Sequence, residues 1–363
     1  MTGSLSLGLG FTRGGLPFRA LPGVRYDPAF AGPRAAERVT TMFVPGAAAP
    51  PRGALRPGIL VIYGGGFTRA APGVPLHVGR YFAAQGFVVS VVEYRAVYSS
   101  TQGTAPDDGV TALDATADVC AALAHLADYD GVDPGNLVVI GHSTGGQIAS
   151  AITTNPGHLA AVGVSLSQVS GVIPIDHGSY SLDAFGGHGP TLSRSVDSVS
   201  ADLTRTWGFT RTPTPNANSA STLPLGQDSV DSYDSREIYY PGFLPSGDLS
   251  PGDPQGYSPV FYVNDDLPPQ WIPYVGRLDG TDGAPAVGGR AGQALAWRDL
   301  VASRPRVAAS GGVGLYPRQD YAQHDEMITE LGTTGSPEAR AYTEAALAAL
   351  VAFTTGGPVP SAV

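Results

Sequence analysis

Hydrophobic positions along the chain come in short unbroken runs, separated by longer stretches in which apolar residues recur at helical spacing. ILVIYGGGF (59–67), FVVSVVEYR (87–95) and NLVVIG (136–141) are apolar without alternation, the pattern of strands covered on both faces. RVTTMFVPG (38–46) has the β-branched content of an earlier strand. LAAVGVSLSQVSG (159–171), PQWIPYVGR (269–277) and RVAASGGVGLYP (306–317) read as three more. Between them, 75–86, 107–129, 144–154, 290–303 and 337–354 have helical periodicity, the first stopping at Gly86, a residue suited to a helix C-cap. Strands alternating with helices predict an α/β fold, a mostly parallel central sheet with helices on both faces.

Two segments depart from this rhythm. Residues 1–37, with glycine and proline throughout, read as an irregular N-terminal arm. Residues 174–256, rich in Ser, Asp, Gly, Pro and Thr, read as an insertion, a cap or lid over the carboxyl edge of the sheet, since long unpatterned insertions in compact domains are commonly functional. The core then comprises 38–173 and 257–354, with 355–363 as a C-terminal tail.

Composition removes several kinds of chemistry. The net charge is −10 and no run of basic residues occurs, so neither nucleic acid nor an anionic membrane is an expected partner. All 21 basic residues are arginine, which excludes a Schiff-base lysine, a pyridoxal phosphate anchor and a P-loop lysine. Cys120 is the one cysteine, so the chain has no internal disulfide and no cysteine-rich metal site; in a helical pattern, it reads as a buried small hydrophobe. NDD (264–266) and DYDGVDPGN (128–136) carry carboxylates, but the first reads as a solvated loop, and the second lacks the closing glutamate of a calcium loop. No metal or cofactor is expected. The N-terminus has no basic stretch leading into an apolar core, and no apolar run reaches membrane-spanning length, so a cytoplasmic location is the default.

The chemistry-bearing stretch is LVVIGHSTGGQIAS (137–150), where a strand runs into Gly-His-Ser-Thr-Gly-Gly and a helix follows. A serine held on so sharp a turn needs small neighbours two residues away on either side, and Gly141 and Gly145 meet that demand. The amide of Thr144, at the start of the helix, would face a developing oxyanion. Upstream, YGGGF (63–67) ends a strand in glycines whose amides, at Gly65 and Gly66, would complete an oxyanion hole.

In order, YGGGF, EYR (93–95), GVDP (131–134), GHSTGG (141–146), YSP (257–259) and LPP (267–269) resemble the motifs of the α/β-hydrolases, closest to the hormone-sensitive-lipase-like and carboxylesterase branch. The resemblance spans about residues 38–352 apart from the 174–256 insertion, and Tyr63 stands where that family usually has a histidine that organises the oxyanion loop. It implies an α/β-hydrolase fold and a triad in the order serine, acid, histidine. Ser143 is then the nucleophile, and His324, in the loop after the last predicted strand, is the base. His142, inside the turn, reads as a packing or turn residue. For the acid, the family's Gly-x-x-Asp spacing from Gly276 picks Asp279, whereas spacing back from Pro285 favours Asp282; Asp279 is adopted, with Asp282 as the alternative. The implied activity is hydrolysis of a small or medium uncharged carboxylic ester through an acyl-enzyme. Amidase or formamidase action, or cyclase or lyase chemistry at the same site, is the second reading, and a non-catalytic small-molecule receptor the third. The sequence leaves open whether the chain forms a homodimer.

Overall fold

A computed structural model of the chain describes residues 16–46, 55–65, 75–95, 110, 112–176, 259, 262–275, 294, 297–318 and 326–360. Its strands are β1 (Phe18–Arg25), β2 (Val39–Pro45), β3 (Arg56–Ile62), β4 (Val88–Val92), β5 (Val132–His142), β6 (Val169–Ile175), β7 (Trp271–Val275) and β8 (Gly314–Arg318). The helices are α1 (Leu76–Ala84), α2 (Ala112–Ala127), α3 (Thr144–Thr154), α4 (Pro156–Ala160), α5 (Pro305–Ala309), α6 (Glu326–Thr329) and α7 (Pro337–Thr355), with a further helical stretch at 297–301.

Six strands are hydrogen-bonded in the order β1-β2-β4-β3-β5-β6. β1 and β2 are antiparallel, as are β2 and β4, and from β4 onward every pairing is parallel. β7 and β8 form a parallel pair that continues this sheet beside β6. Val172 bridges Gln270, and the amides of Val172 and Asp176 donate to the carbonyls of Pro269 and Pro273 at 2.9 and 2.8 Å. The central strands are apolar on both faces because both faces are covered. Ile59, Val61, Val89, Val91, Val138 and Ile140 pack with α1, α6 and α7, through residues such as Phe82, Met327 and Phe353. Their alternates Leu60, Ile62, Val92, Leu137 and Val139 pack with Val119 and Leu123 of α2 and Ile148 and Ile152 of α3. Burying each such side chain stabilises the fold by about 1.5–3 kcal/mol. A third cluster, built on Ile272, Tyr274 and Leu315, holds Trp297 and Val307 against β7 and β8.

Three sequence expectations are corrected. The arm at 1–37 is not irregular throughout: Phe18–Arg25 form an edge strand, hidden in the sequence because its register shifts between Leu21 and Val24, around Pro22 and Gly23 (φ 67°), and its side chains are mostly exposed. The strand expected over 159–171 begins only at Val169 and runs to Ile175, two residues into the segment assigned to the insertion. Ahead of it, α4 starts at Pro156 behind an Asn155 side chain that accepts the Gly157 amide, and Ser165 and Gln168 form a capping box over a short turn. Likewise 306–317 begins as helix, with Pro305 in the first turn of α5, and becomes strand only at Gly314. Cys120 is buried, as the helical pattern indicated, and burial pushes its thiol up to about 12.

A buried ion cluster ties the N-terminal segment to the sheet. Arg95, just beyond β4, donates from Nε and Nη2 to the two oxygens of Asp118 on α2 at 2.8 and 2.9 Å. Arg38 pairs with the same carboxylate and with Asp27, each at 2.8 Å. The Phe30 ring lies 3.9 Å from the Arg38 guanidinium carbon and 4.7 Å from that of Arg95. Asp118 is wholly buried and both arginine side chains nearly so; removing the shared carboxylate leaves Arg38 with Asp27 alone and Arg95 with the more distant Asp114 at 3.6 Å, both cations under-compensated in low dielectric. Asp118→Ala is expected to cost about 3–5 kcal/mol, read as a lower denaturation midpoint in urea.

Burial also lowers the imidazoles of His77 on α1, whose Nε2 lies 3.1 Å from the Ile328 carbonyl, and of His125 on α2. The unfolded chain therefore binds these protons at higher pH than the folded one, so stability falls as pH drops through the ordinary histidine range near about 6.5. The expected result is a thermal midpoint that declines from about pH 7.5 to about pH 5.5, with a shallower decline in His77→Gln/His125→Gln.

Candidate active site

The parallel strands β3, β4, β5 and β6 end side by side, with Ile62 level with Val92 on one neighbour and with Gly141 on the other. Open α/β sheets bind ligands along such a carboxyl edge. β5 delivers its buried run directly into the turn, and Ser143 takes φ 55° and ψ −122°, a conformation rare for any residue with a side chain. Strain of this kind costs on the order of 1–3 kcal/mol and persists only where the surroundings enforce it. Here the Ser143 amide donates to the Ile175 carbonyl at 3.0 Å, and its own carbonyl accepts the Gln147 amide at 3.0 Å. Every residue of α3 is buried, so the turn cannot relax by moving the helix.

Glycine is needed around the turn because backbone passes backbone there. A Cβ on Gly141 would collide with the Gly145 carbonyl, and one on Gly145 would stand 2.5 Å from the Ile62 oxygen and 2.6 Å from the Tyr63 oxygen. The sequence argument named those two positions and missed a third. A Cβ on Gly64 would lie 2.6 Å from the Ser143 Cβ and 2.7 Å from the His142 oxygen, so the glycine loop after β3 is in direct contact with the serine. Gly65 follows at φ 146°, in the region open to glycine. Gly64, Gly65 and Ser143 are partly exposed, whereas Tyr63, His142 and Thr144 beside them are buried. His142 thus sits inside the turn, with its Nδ1 3.1 Å from where a Gly64 Cβ would be.

Of the residues singled out in the sequence, Ser143, Thr144 and Gly65 come together at this edge. Gly66, Asp279, Asp282 and His324 lie outside the described residues. Two further groups had not been anticipated. The Tyr63 and Tyr94 rings stack at 4.6 Å, and the Tyr94 hydroxyl donates to the Tyr63 carbonyl at 3.0 Å. The tyrosine in EYR was visible as part of a motif, but its bond across the strand ends was not. Asp176 caps β6 at φ 44° with its side chain buried, near Tyr342, whose phenol is raised well above its ordinary value chiefly by burial. A lone Asp after an apolar run carried no such signal.

The strand order, the strained serine between β5 and α3, and the glycine loop against it define the α/β-hydrolase fold, and this chain has it. A family model described as alpha/beta hydrolase fold matches residues 59–194. Among solved structures, esterase B of Lactobacillus rhamnosis, inhibited by a C4-C4 SN3 tributyrin phosphonate, superposes with a TM-score of 0.53 at 17% identity, over 93% of this chain and 87% of that one. Butyrate-bound esterase 2 of Thermogutta terrifontis gives 0.53 at 16% identity, over 96% of this chain and 97% of that one. The same esterase phosphonylated by sarin gives 0.53 at 17% identity, over 96% and 98%. No curated protein matches the chain. Among the described residues, no helix is long and apolar enough to cross a membrane.

The backbone contacts at Gly145 yield a direct test. Because the three atoms nearest its missing Cβ all belong to main chain, Gly145→Ala is expected to lose about 1–3 kcal/mol or more, measured by chemical denaturation.

Proposed function

We propose that the chain is a serine hydrolase that cleaves a small or medium uncharged carboxylic ester through an acyl-enzyme. The observation that carries this reading is the Ser143 turn, strained, partly exposed and in contact with Gly64 of the glycine loop. In the proposed reading this backbone presents the Ser143 hydroxyl above the strand ends, and the first amides of α3 serve the same space.

In the proposed reaction the Ser143 hydroxyl attacks the ester carbonyl and His324 takes its proton. Asp279, or Asp282 in its place, holds the imidazole in the tautomer that accepts at the nitrogen facing the serine. The carbonyl oxygen becomes an oxyanion that accepts hydrogen bonds from the amides of Thr144, Gly65 and Gly66. His324 returns the proton to the leaving alcohol, and water then releases the acid by the same steps. The solved esterases of like fold, one described as butyrate-bound and others as phosphonate-inhibited or phosphonylated, support a short-chain ester as the substrate class. The insertion read over 174–256, apart from the strand residues Pro174 and Ile175, is proposed as a cap over this edge.

The test is hydrolysis of p-nitrophenyl esters from acetate to decanoate by the wild type and by Ser143→Ala. Turnover favouring short or medium chains, reduced by about 10⁴-fold or more in the variant, is the expected outcome. Turnover retained by Ser143→Ala refutes the assigned nucleophile, and a wild type that neither hydrolyses these esters nor reacts with a fluorophosphonate at Ser143 refutes acyl transfer.

A further inference from the structure

The two tyrosines at the ends of β3 and β4 do more than fill space. Tyr63 and Tyr94 are 3% and 2% exposed, and their rings stack with an interplanar angle of 19°. Each hydroxyl donates to the other residue's carbonyl, at 3.0 Å from Tyr94 to Tyr63 and at 3.4 Å in return. The shorter bond lands on the peptide that joins Tyr63 to Gly64. That carbonyl oxygen is hemmed on a second side by α3, since it is one of the backbone atoms that a Gly145 Cβ would strike. A peptide is planar and trans here, so fixing the Tyr63 C=O fixes the Gly64 N–H in the opposite direction. Gly64 in turn touches Ser143, and Gly65 turns the chain at φ 146°. The Tyr94 hydroxyl therefore holds the peptide next to the one that carries the proposed donor N–H of Gly65, with only the Gly64 torsions between them.

Tyr63 occupies the position at which the resembling family has its loop-organising histidine, and its own hydroxyl bonds the Tyr94 carbonyl. We propose that the Tyr94 hydroxyl is a positioning group for this loop: by holding the Tyr63–Gly64 peptide against α3 it sets the distance between the Gly65 amide and Ser143, and so the rate of acyl transfer. The inference rests on the proposed hydrolase reading. It predicts a defect confined to the chemical step, because a donor displaced from the oxyanion weakens the transition state more than the ground-state complex.

The experiment compares Tyr94→Phe with Tyr26→Phe. Tyr26 donates to the Glu93 carbonyl at 3.1 Å and its hydroxyl also meets Arg38 of the ion cluster, so its variant loses hydroxyl bonds next to the same strand end, none of them to the Tyr63–Gly64 peptide. Turnover of p-nitrophenyl butyrate is measured per site titrated with a fluorophosphonate, which counts only folded, competent serines. Deleting an oxyanion donor outright typically costs about 10²–10³ in kcat, and a donor loosened rather than deleted is expected to cost about tenfold. Tyr94→Phe should therefore lose about tenfold in kcat with KM within about twofold and the pH profile unmoved, while Tyr26→Phe keeps wild-type kcat and loses only thermal stability. A Tyr94→Phe kcat within about twofold of wild type, or an equal loss in both variants, overturns the positioning role while leaving the hydrolase reading intact. An inactive wild type whose Ser143 resists the fluorophosphonate overturns the hydrolase reading and this inference together.

Discussion

Main chain meeting main chain, where the first turn of α3 crosses the ends of β3 and β5, governs this structure. Gly141, Gly145 and Gly64 each lie where a single added carbon would overlap neighbouring backbone or the Ser143 side chain. So close an approach has two effects. It forces Ser143 into a conformation it would not otherwise hold, and it brings the loop after β3 into contact with the same residue. Ser143 and the loop are thereby placed by one contact surface, whose position depends on the buried faces of the sheet and of α3.

The remaining architecture braces that surface. α3 is buried along its whole length between β5 and β6 and the α2 layer, which removes the freedom to relieve the strain by sliding. On the far side of β3, the paired tyrosines close the gap between two strand ends that have no further ladder bonds to make. Beyond them, Arg95 and Arg38 converge on Asp118, so the residues following β4, helix α2 and the segment after β1 are cross-linked by one carboxylate. An apolar replacement could match such a cluster in stability; what the ions supply is a fixed register between three separate parts of the chain.

Features that repeat along the sequence were legible, and features that depend on a partner were not. Unbroken runs such as LVVI at 137–140 announced the central strands because burial on both faces leaves no room for polar positions. The spelling Gly-His-Ser-Thr-Gly carried the turn because the glycines that the crowding requires both lie within two residues of Ser143, although the backbone crowding Gly145 lies at the end of β3. β1 escaped notice since an exposed edge strand needs no apolar alternation, and its register shift breaks what pattern it has. The apolar residues at 159–164 and 306–309 looked like strand starts because single helical turns are too short to show a period; the Asn-Pro and Ser-x-x-Gln caps were the better guide. Gly64 against Ser143 and Tyr94 against Tyr63 join positions 79 and 31 residues apart, and spacing along one strand or helix holds no information about them.

Cys120 sits in α2 two positions from Asp118, sealed among Val119, Leu123 and the β-strand side chains, with its thiol held in the protonated form. Since the sequence has no lysine and one cysteine, this buried sulfur is its single thiol and no ε-amino group accompanies it. In the folded molecule that sulfur is closed to thiol-directed electrophiles, because burial keeps it both covered and protonated. Opening of α2 would release that thiol, which makes the helix that anchors the ion cluster its own reporter of unfolding.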